Sequence, residues 1–571
     1  MTLIELIRHL MPDGTDAYAS SGEPSATAET APITYQRCPT WPVDLFAVIG
    51  TIIERSGCYT LAGPVRDELP NHATYLATVA ECARTWNSDI SQVPALVEDL
   101  WQVVTDGCAK MQISEVRANP ALVKILVALF AIADEACAGM GWDVDPNEAS
   151  ARKFSSVAFA ALTKSGSAIN LPHEPVSLCV MVPPDRAVVL PKSITSSVGC
   201  TIRSLSHYLA LLPPSTVLEP QWFLSSKGKT QDDQDASTSN TLRLLLVPFP
   251  FEVHANSFKL SFPRTALGSN HVPAYFELEQ RWLDTKDGPL TGQRLADELI
   301  IPLIKTAAEA TGQVPNGIIL PECALTSELA GGLVNALVGS GIEFLITGVL
   351  DTKDGKHLNR ALTFAIQRDG VVAMAEQNKH HRWRLDRGQT ERYSLHFDDS
   401  LNNKWWEDID VSQRKLPFFG LRKDMSLATL ICEDLARTDP AMTAIRAVGP
   451  NLVVALLMDG PQLAVRWPGR YATVLAEDPG SAVLSFTCAA MVDRSNLLEA
   501  RPTRAVGLWR DGTNKMQEIL LPEDALGMVL TLQSKAKHQN TLDNRSDNSL
   551  SRQLTLRAVE PLFLAGQPDW I

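Results

Sequence analysis

The sequence has 571 residues, 45% of them apolar, and a formal charge of −14. That length exceeds one ordinary domain and suggests two, and the negative charge argues against a general nucleic-acid binder, which gains affinity by neutralising phosphates. Ten cysteines with no CxxC pair and no Cys/His array argue against a zinc ribbon and against a secreted disulfide scaffold.

The first residues, MTLIELIRHLMPDG, lack a basic stretch before an apolar core and carry Glu5, so they do not read as a signal peptide. No run of eighteen apolar residues offers a membrane span. A reducing cytoplasm is the expected compartment, where a free thiolate survives.

Residues 1 to about 40 are polar and rich in Ser, Pro and Ala, a loose start. CPTWPVDLFAVIGTIIERSG (38–57) predicts a turn and then a helix, with Pro42 in its first turn and Gly57 at its end. Two more helical stretches are expected at about 74–110 and 121–139. Leu122, Ile125, Leu126, Leu129 and Phe130 recur at three and four in the second. A further helix is expected at 150–163, and SLCVMV and AVVLP read as strands. No chemistry is visible in residues 1–224, which read as a mostly helical N-terminal region, a scaffold or a partner-binding module. SSKGKTQDDQDASTSN, within 225–241, reads as a polar linker. Its GKT is not a phosphate loop, because that motif needs Gly at 223 and Phe223 stands there.

From Leu242 the texture changes. LRLLLVPF is a buried-strand run, and 290–310 predicts a helix that Pro302 should kink. NGIILPE (316–322) reads as a short strand, TSELAGGLVNALVGSG as a helix and EFLITGVL as a strand. NRALTFAIQRDGVVAMAEQNK predicts two strands around Asp369-Gly370. LATLI (427–431) and NLVVALLM (451–458) read as buried strands, followed by a helix at 469–477, the strand AVLSFTCAA, and two strands flanking Asp511-Gly512. This alternation argues for an α/β class over 242–532. Residues 533–571 read as an exposed polar connection with a short apolar tail.

Three chemically distinctive residues share one placement. Glu322 ends NGIIL, Lys379 ends VVAMAEQN, and Cys432 ends LATLI. Residues just past strand ends can converge at one rim of a sheet. A carboxylate, an ammonium and a thiol meeting there make a consistent acyl-transfer site. Cys323 is a rival thiol, but neighbours on one strand face opposite ways, so it reads as core. His380-His381 has no companion at ligand spacing, so no metal is expected. Arg382 and Arg384 read as solvated charges or as grips for an anionic substrate.

With LPECAL around Glu322, LNRALTFAIQRDGVVAMAEQNKHHRW around Lys379 and LATLICEDL around Cys432, the half from about Leu242 to Leu530 resembles the nitrilase superfamily of carbon–nitrogen hydrolases. RYATVLAEDPGSAVLSFTC and VGLWRDGTNKMQEIL are similar to that family's late region. The resemblance implies a four-layer αββα sandwich, a Cys432 nucleophile, a Glu322 general base and acid, and Lys379 at the oxyanion. It implies the backbone N–H of Glu433 as a second oxyanion donor, no cofactor, no metal, and a homo-oligomer. A second glutamate after the lysine is usual in the family, and Glu391 in GQTERY is the candidate. The tryptophan-bearing NNKWWEDID lies in extra sequence before Cys432 and reads equally as a pocket wall or a surface cover.

Glu433 stands where nitrilases often have Trp, which favours an amide over a nitrile substrate. ICEDL is also similar to the glutaminase part of glutamine-dependent NAD synthetases, so a glutaminase feeding ammonia to a separate partner is an alternative. Another is a silent sensor or scaffold whose N-terminal half binds a partner, in a setting such as bacterial defence.

Overall fold

Helix Pro42–Ser56 begins on a proline whose missing N–H would be unsatisfied there anyway, and it stops at Gly57, held at φ 69°. Such local rules place most elements of the chain. The computed structural model describes residues 1–15, 33–64, 66, 69–90, 92–138, 176–193, 195, 199–224, 240–261, 274–367, 370–395, 397, 404–422 and 425–571. The helix expected at 150–163 and nearly all of the linker at 225–241 lie outside them. Among the described residues, no helix is long and apolar enough to cross a membrane.

The chain divides into two units. The first comprises Met1–Trp222, Thr443–Pro450 and Ala536–Arg552; the second comprises Phe223–Met442, Asn451–Lys535 and Gln553–Ile571.

In the first unit the stretch expected at 74–110 is two helices, Leu69–Ser88 and Ala95–Gln102, interrupted before Pro94. Pro120–Ala136 starts on an Asn119 cap, and its buried face includes Leu122, Leu126, Leu129 and Phe130. Asp44, in the first turn of Pro42–Ser56, accepts the N–H groups of Val180, Met181 and Val182. That stretch is irregular rather than the strand its composition suggested, because a buried carboxylate takes its donors. Strand Val188–Pro191 pairs antiparallel with Leu209–Leu212.

Residues 536–552 are not the exposed connection that their polarity suggested. Arg545 is buried and donates to Asp134, Glu135 and Asp543, while Tyr75 donates to Asp543 (2.6 Å). Charged residues lie inside here because each finds a charged partner.

The second unit is α/β, with two large sheets. One runs, in order, Gly370–Asn378, Lys356–Gln367, Phe344–Lys353, Gly317–Ile319, Thr241–Leu246, Gly527–Lys537 and Ser551–Leu562. The other runs Met516–Leu520, Ala505–Arg510, Ala482–Thr487, Leu452–Leu457, Met425–Ile431 and Lys415–Arg422, and the end of Glu219–Leu224 lies outermost. One apolar cluster joins their inner faces, with Leu244, Ile319 and Ile346 from the first and Leu427, Val454 and Leu484 from the second.

A second cluster packs Leu299, Leu303, Leu329 and Leu333 on the outer face of the first sheet. Pro302 does not break its helix. It falls at the start of Ile301–Thr311, directly after a π-helical turn over Ala296–Ile300. Ser551–Leu562, expected to be exposed connection and tail, is a twelve-residue edge strand.

A third, smaller sheet has the order Arg384–Asp386, Lys404–Glu407, Tyr275–Leu278, Phe258–Leu260. It is built from Arg384–Asp386 and Lys404–Glu407, from the sequence before Cys432, together with Phe258–Leu260 and Tyr275–Leu278. Trp383, Tyr393 and Trp405 bury with Phe258, Phe276, Cys323, Met458 and Met491. Within the tryptophan-bearing segment, Trp405 is therefore packed in a core while Trp406 is exposed.

Candidate active site

Gly317–Ile319 runs parallel to Phe344–Lys353, and Lys356–Gln367 and Gly370–Asn378 follow antiparallel in turn. Hence Gly317–Ile319 and Gly370–Asn378 point the same way, and Glu322 and Lys379, just past their ends, emerge at one edge. Asn359, near the start of Lys356–Gln367, the strand paired with Gly370–Asn378, lies at that edge too: Lys379 N–H donates to its carbonyl (2.9 Å).

The side chains meet. Lys379 Nζ donates to Glu322 Oε1 (2.7 Å) and to Glu407 Oε2 (2.6 Å). Asn359 Nδ2 bridges the same two carboxylates, 2.8 Å from Glu322 Oε1 and 2.8 Å from Glu407 Oε1. Trp383 N–H completes the cradle of Glu407 (2.9 Å). Lys379 is wholly buried and Glu322 is 2% exposed. Glu322 Oε2 is buried and makes no hydrogen bond within the described protein. A buried carboxylate oxygen without a donor is costly and uncommon, so it marks a place where another group is to be met.

Cys432 directly follows strand Met425–Ile431, is 3% exposed, and opens a 3₁₀ turn, Cys432–Ala436. Its φ of 48° lies in the left-handed region, which costs a non-glycine residue roughly 1–3 kcal/mol and needs a surrounding that enforces it. Burial and the Glu322 carboxylate push the thiol well above its ordinary pKa, and Lys379 opposes them. The resting group is therefore the thiol, and a base is needed to ionise it.

Burial also raises Glu322; Lys379 opposes this and Glu407 adds to it. Burial pulls Lys379 down, but the two carboxylates more than reverse that and hold it well above its ordinary value. The lysine is a fixed cation and Glu322 a base stronger than an ordinary carboxylate.

Glu391, the expected second glutamate, is exposed on helix Arg387–Arg392, and it is Glu407 that lies against Lys379. Glu407 closes strand Lys404–Glu407, whose burial alternates so that Trp405 and Glu407 face inward. A carboxylate on the buried side of a period-two pattern was the signal available in the sequence. Asn359 carried no such signal.

Cys323 is buried, as expected, but for a different reason. Glu322 and Cys323 sit in a turn, not a strand, with Cys323 at φ 55° and packed in the third cluster. Gln280 Nε2 donates to the carbonyls of Cys323 (2.8 Å) and Leu325 (2.7 Å), clamping that turn. The backbone N–H groups of His380 and His381 both donate to Asp434. Arg382 and Arg384 lie over the rings of Tyr275 and Trp406. In the first unit, Asp134, Glu135 and His207 bring ligand atoms within 4.8 Å of one another, but Arg545 Nη1 already bridges both carboxylates. A cavity of about 30 Å³ also lies in that unit, lined by Lys192, Ser206 and His207 among others, and none of the residues around Cys432 borders it.

No family model matches the sequence, and no curated protein matches it. The solved structures it is similar to include Nit3 of Saccharomyces cerevisiae, a member of branch 10 of the nitrilase superfamily. That likeness has 14% identity over 49% of this chain and 85% of that one, with a TM-score of 0.27. A CN-hydrolase superfamily protein of Xanthomonas campestris, with an arsenic adduct in its active site, shows 16% identity over 51% of this chain and 89% of that one (TM-score 0.29). A glutamine-dependent NAD(+) synthetase of Cytophaga hutchinsonii shows 11% identity over 51% and 42% (TM-score 0.24). At such identities and scores, the side chains of the site have to carry any functional reading.

One glycine is required for this geometry. A Cβ on Gly348 would stand 2.4 Å from Glu322 Cα and 2.5 Å from the Pro321 carbonyl oxygen. Both are backbone, so the turn that carries Glu322 has to move if Gly348 becomes Ala. We expect Gly348→Ala to lower turnover by about a hundredfold or more, as misplacement by an ångström does, with a reduced melting temperature. Steady-state kinetics and thermal unfolding of the variant check this; wild-type values of both would show that the strand and turn do not need to touch.

Proposed function

We propose that the second unit is a carbon–nitrogen hydrolase of the nitrilase superfamily, acting on an amide through a thioester on Cys432. The reading rests on one observation: Lys379 is locked between Glu322 and Glu407 beside a buried thiol, and the other Glu322 oxygen is left without a partner. The two facing sheets with helices outside them fit a four-layer αββα sandwich.

Glu322 Oε2 takes the thiol proton as sulfur bonds to the amide carbon and the carbonyl π pair moves onto oxygen. Lys379 Nζ, with the Glu433 N–H as the expected second donor, stabilises that oxyanion. The oxyanion then collapses, the C–N bond breaks, and Glu322 gives its proton to the departing nitrogen. Glu322 next takes a proton from water, whose oxygen attacks the thioester. The C–S bond breaks, sulfur regains the proton, and the acid leaves. Asn359 keeps the two carboxylates apart and oriented throughout. No step calls for a metal or organic cofactor. Glu433 beside Cys432, where nitrilases often have Trp, supports an amide over a nitrile.

The test is acyl transfer. A panel of small primary amides, with hydroxylamine present, is expected to release ammonia and yield hydroxamates with the wild-type protein, because a thioester passes its acyl group to any good nucleophile. Absence of ammonia from every amide, together with equal electrophile labelling of wild type and Cys432→Ala, would sink the proposal. Cys323→Ala is expected to label as wild type does.

A further inference from the structure

We infer that Asp434 is a positioning residue that sets the separation of the Cys432 thiol from the Lys379 ammonium; this rests on the functional reading above. Asp434 is the third residue of the turn that displays Cys432, and its side chain is wholly buried. Its carboxylate reaches across to the two residues that follow Lys379. Oδ1 accepts from His380 N–H (3.1 Å), His381 N–H (3.0 Å) and His381 Nδ1 (3.1 Å), and Oδ2 lies 3.0 Å from His380 N. The last ring contact places the imidazole proton on Nδ1.

The backbone of Lys379 is thus pinned from both sides. Its own N–H is tied to Asn359 on the neighbouring strand, and the next two N–H groups are tied to the Cys432 turn. These two attachments belong to the two different large sheets, so Asp434 is a direct strut between them at the site. A charged acceptor suits that task because its bonds are shorter and stronger than those of a neutral one. Lys379 is the cation that opposes the upward shift of the thiol, and Coulomb attraction falls with distance. A strut that holds Lys379 near sulfur therefore governs how readily the thiol ionises, without itself touching substrate.

The experiment compares wild type, Asp434→Asn and His381→Ala. The rate of Cys432 alkylation by iodoacetamide is followed across pH by peptide mass spectrometry, with circular-dichroism melting in parallel. Asp434→Asn removes the charge and puts an amide N–H where Oδ2 meets His380 N, so the tie to the loop after Lys379 weakens. The midpoint of its alkylation profile is expected to rise by about one pH unit, the size of effect a neighbouring cation has. His381→Ala removes only the ring contact and is expected to shift the profile less, in the same direction, with melting near wild type. It serves as the decisive variant if Asp434→Asn does not fold.

Profiles that coincide with wild type, whatever the melting temperatures, would overturn the strut, because a merely structural residue changes melting and not the profile. If Cys432 of the wild-type protein is not alkylated at any pH at which the fold persists, the functional reading fails, and the strut with it.

Discussion

Cys432→Ala is expected to abolish amide turnover, by about 10⁴-fold or more, with little change in the fold. Removing one member of a nucleophile and base unit disables the whole unit, and only binding and oxyanion contacts remain. Glu322→Gln is expected to match it within about tenfold, since no other described group presents an unpartnered carboxylate oxygen beside the thiol. The two losses should not add, because in the proposed mechanism both residues serve the same proton transfer.

The wild-type pH profile follows from the same geometry. Glu322 acts as a base only when ionised, and burial raises its pKa. Turnover is therefore present above that raised pKa and lost as pH falls through it, at a higher pH than an ordinary glutamate would give. A kcat/KM profile with its acid limb in the usual carboxylate range would contradict the role of Glu322.

Glu407→Gln is expected to cost about a hundredfold in turnover and roughly 3–5 kcal/mol in stability, the usual consequence of breaking a buried ion pair. Gln keeps an acceptor for Trp383 N–H but leaves Lys379 with one carboxylate instead of two. The sign of the pH effect is distinctive. The Glu407 charge raises Glu322, so its removal lowers the Glu322 pKa and moves the acid limb to lower pH even as the rate drops. Glu391→Gln, on an exposed helix, should change stability by no more than about 0.5 kcal/mol and leave the profile alone. Kinetics and denaturant unfolding of the two variants, measured side by side, check this. Equal effects would mean that Glu407 does not act on Lys379 in solution.

The contrast between Glu391 and Glu407 shows where reading the chain in order fails. Glu391 is nearer to Lys379 along the sequence and lies on a short capped helix; Glu407 is farther, on a strand of a sheet that has no counterpart in the main alternation. Sequence distance carries no information about which of two acids folds back, because a longer loop costs little more entropy to close than a short one. The same limit applies to residues 536–552. Their polarity suggested solvent, yet Asp543 and Arg545 bury because Asp134 and Glu135, some four hundred residues earlier, supply the opposite charge. Asp434 is by sequence one more acid after Cys432, and only the fold brings its carboxylate to the loop after Lys379.

What the amino-acid order determined by itself is local. Apolar runs that stop abruptly mark strand ends, and Glu322, Lys379 and Cys432 stand at such ends because strand termination depends on a few neighbouring side chains. Which acids surround the ammonium, which oxygen is left bare and which turn is tied to which loop were decided only by the tertiary structure. Those facts depend on the pairing of distant strands, and the free energy of that pairing comes from apolar burial spread over both sheets, which no single stretch of the chain encodes.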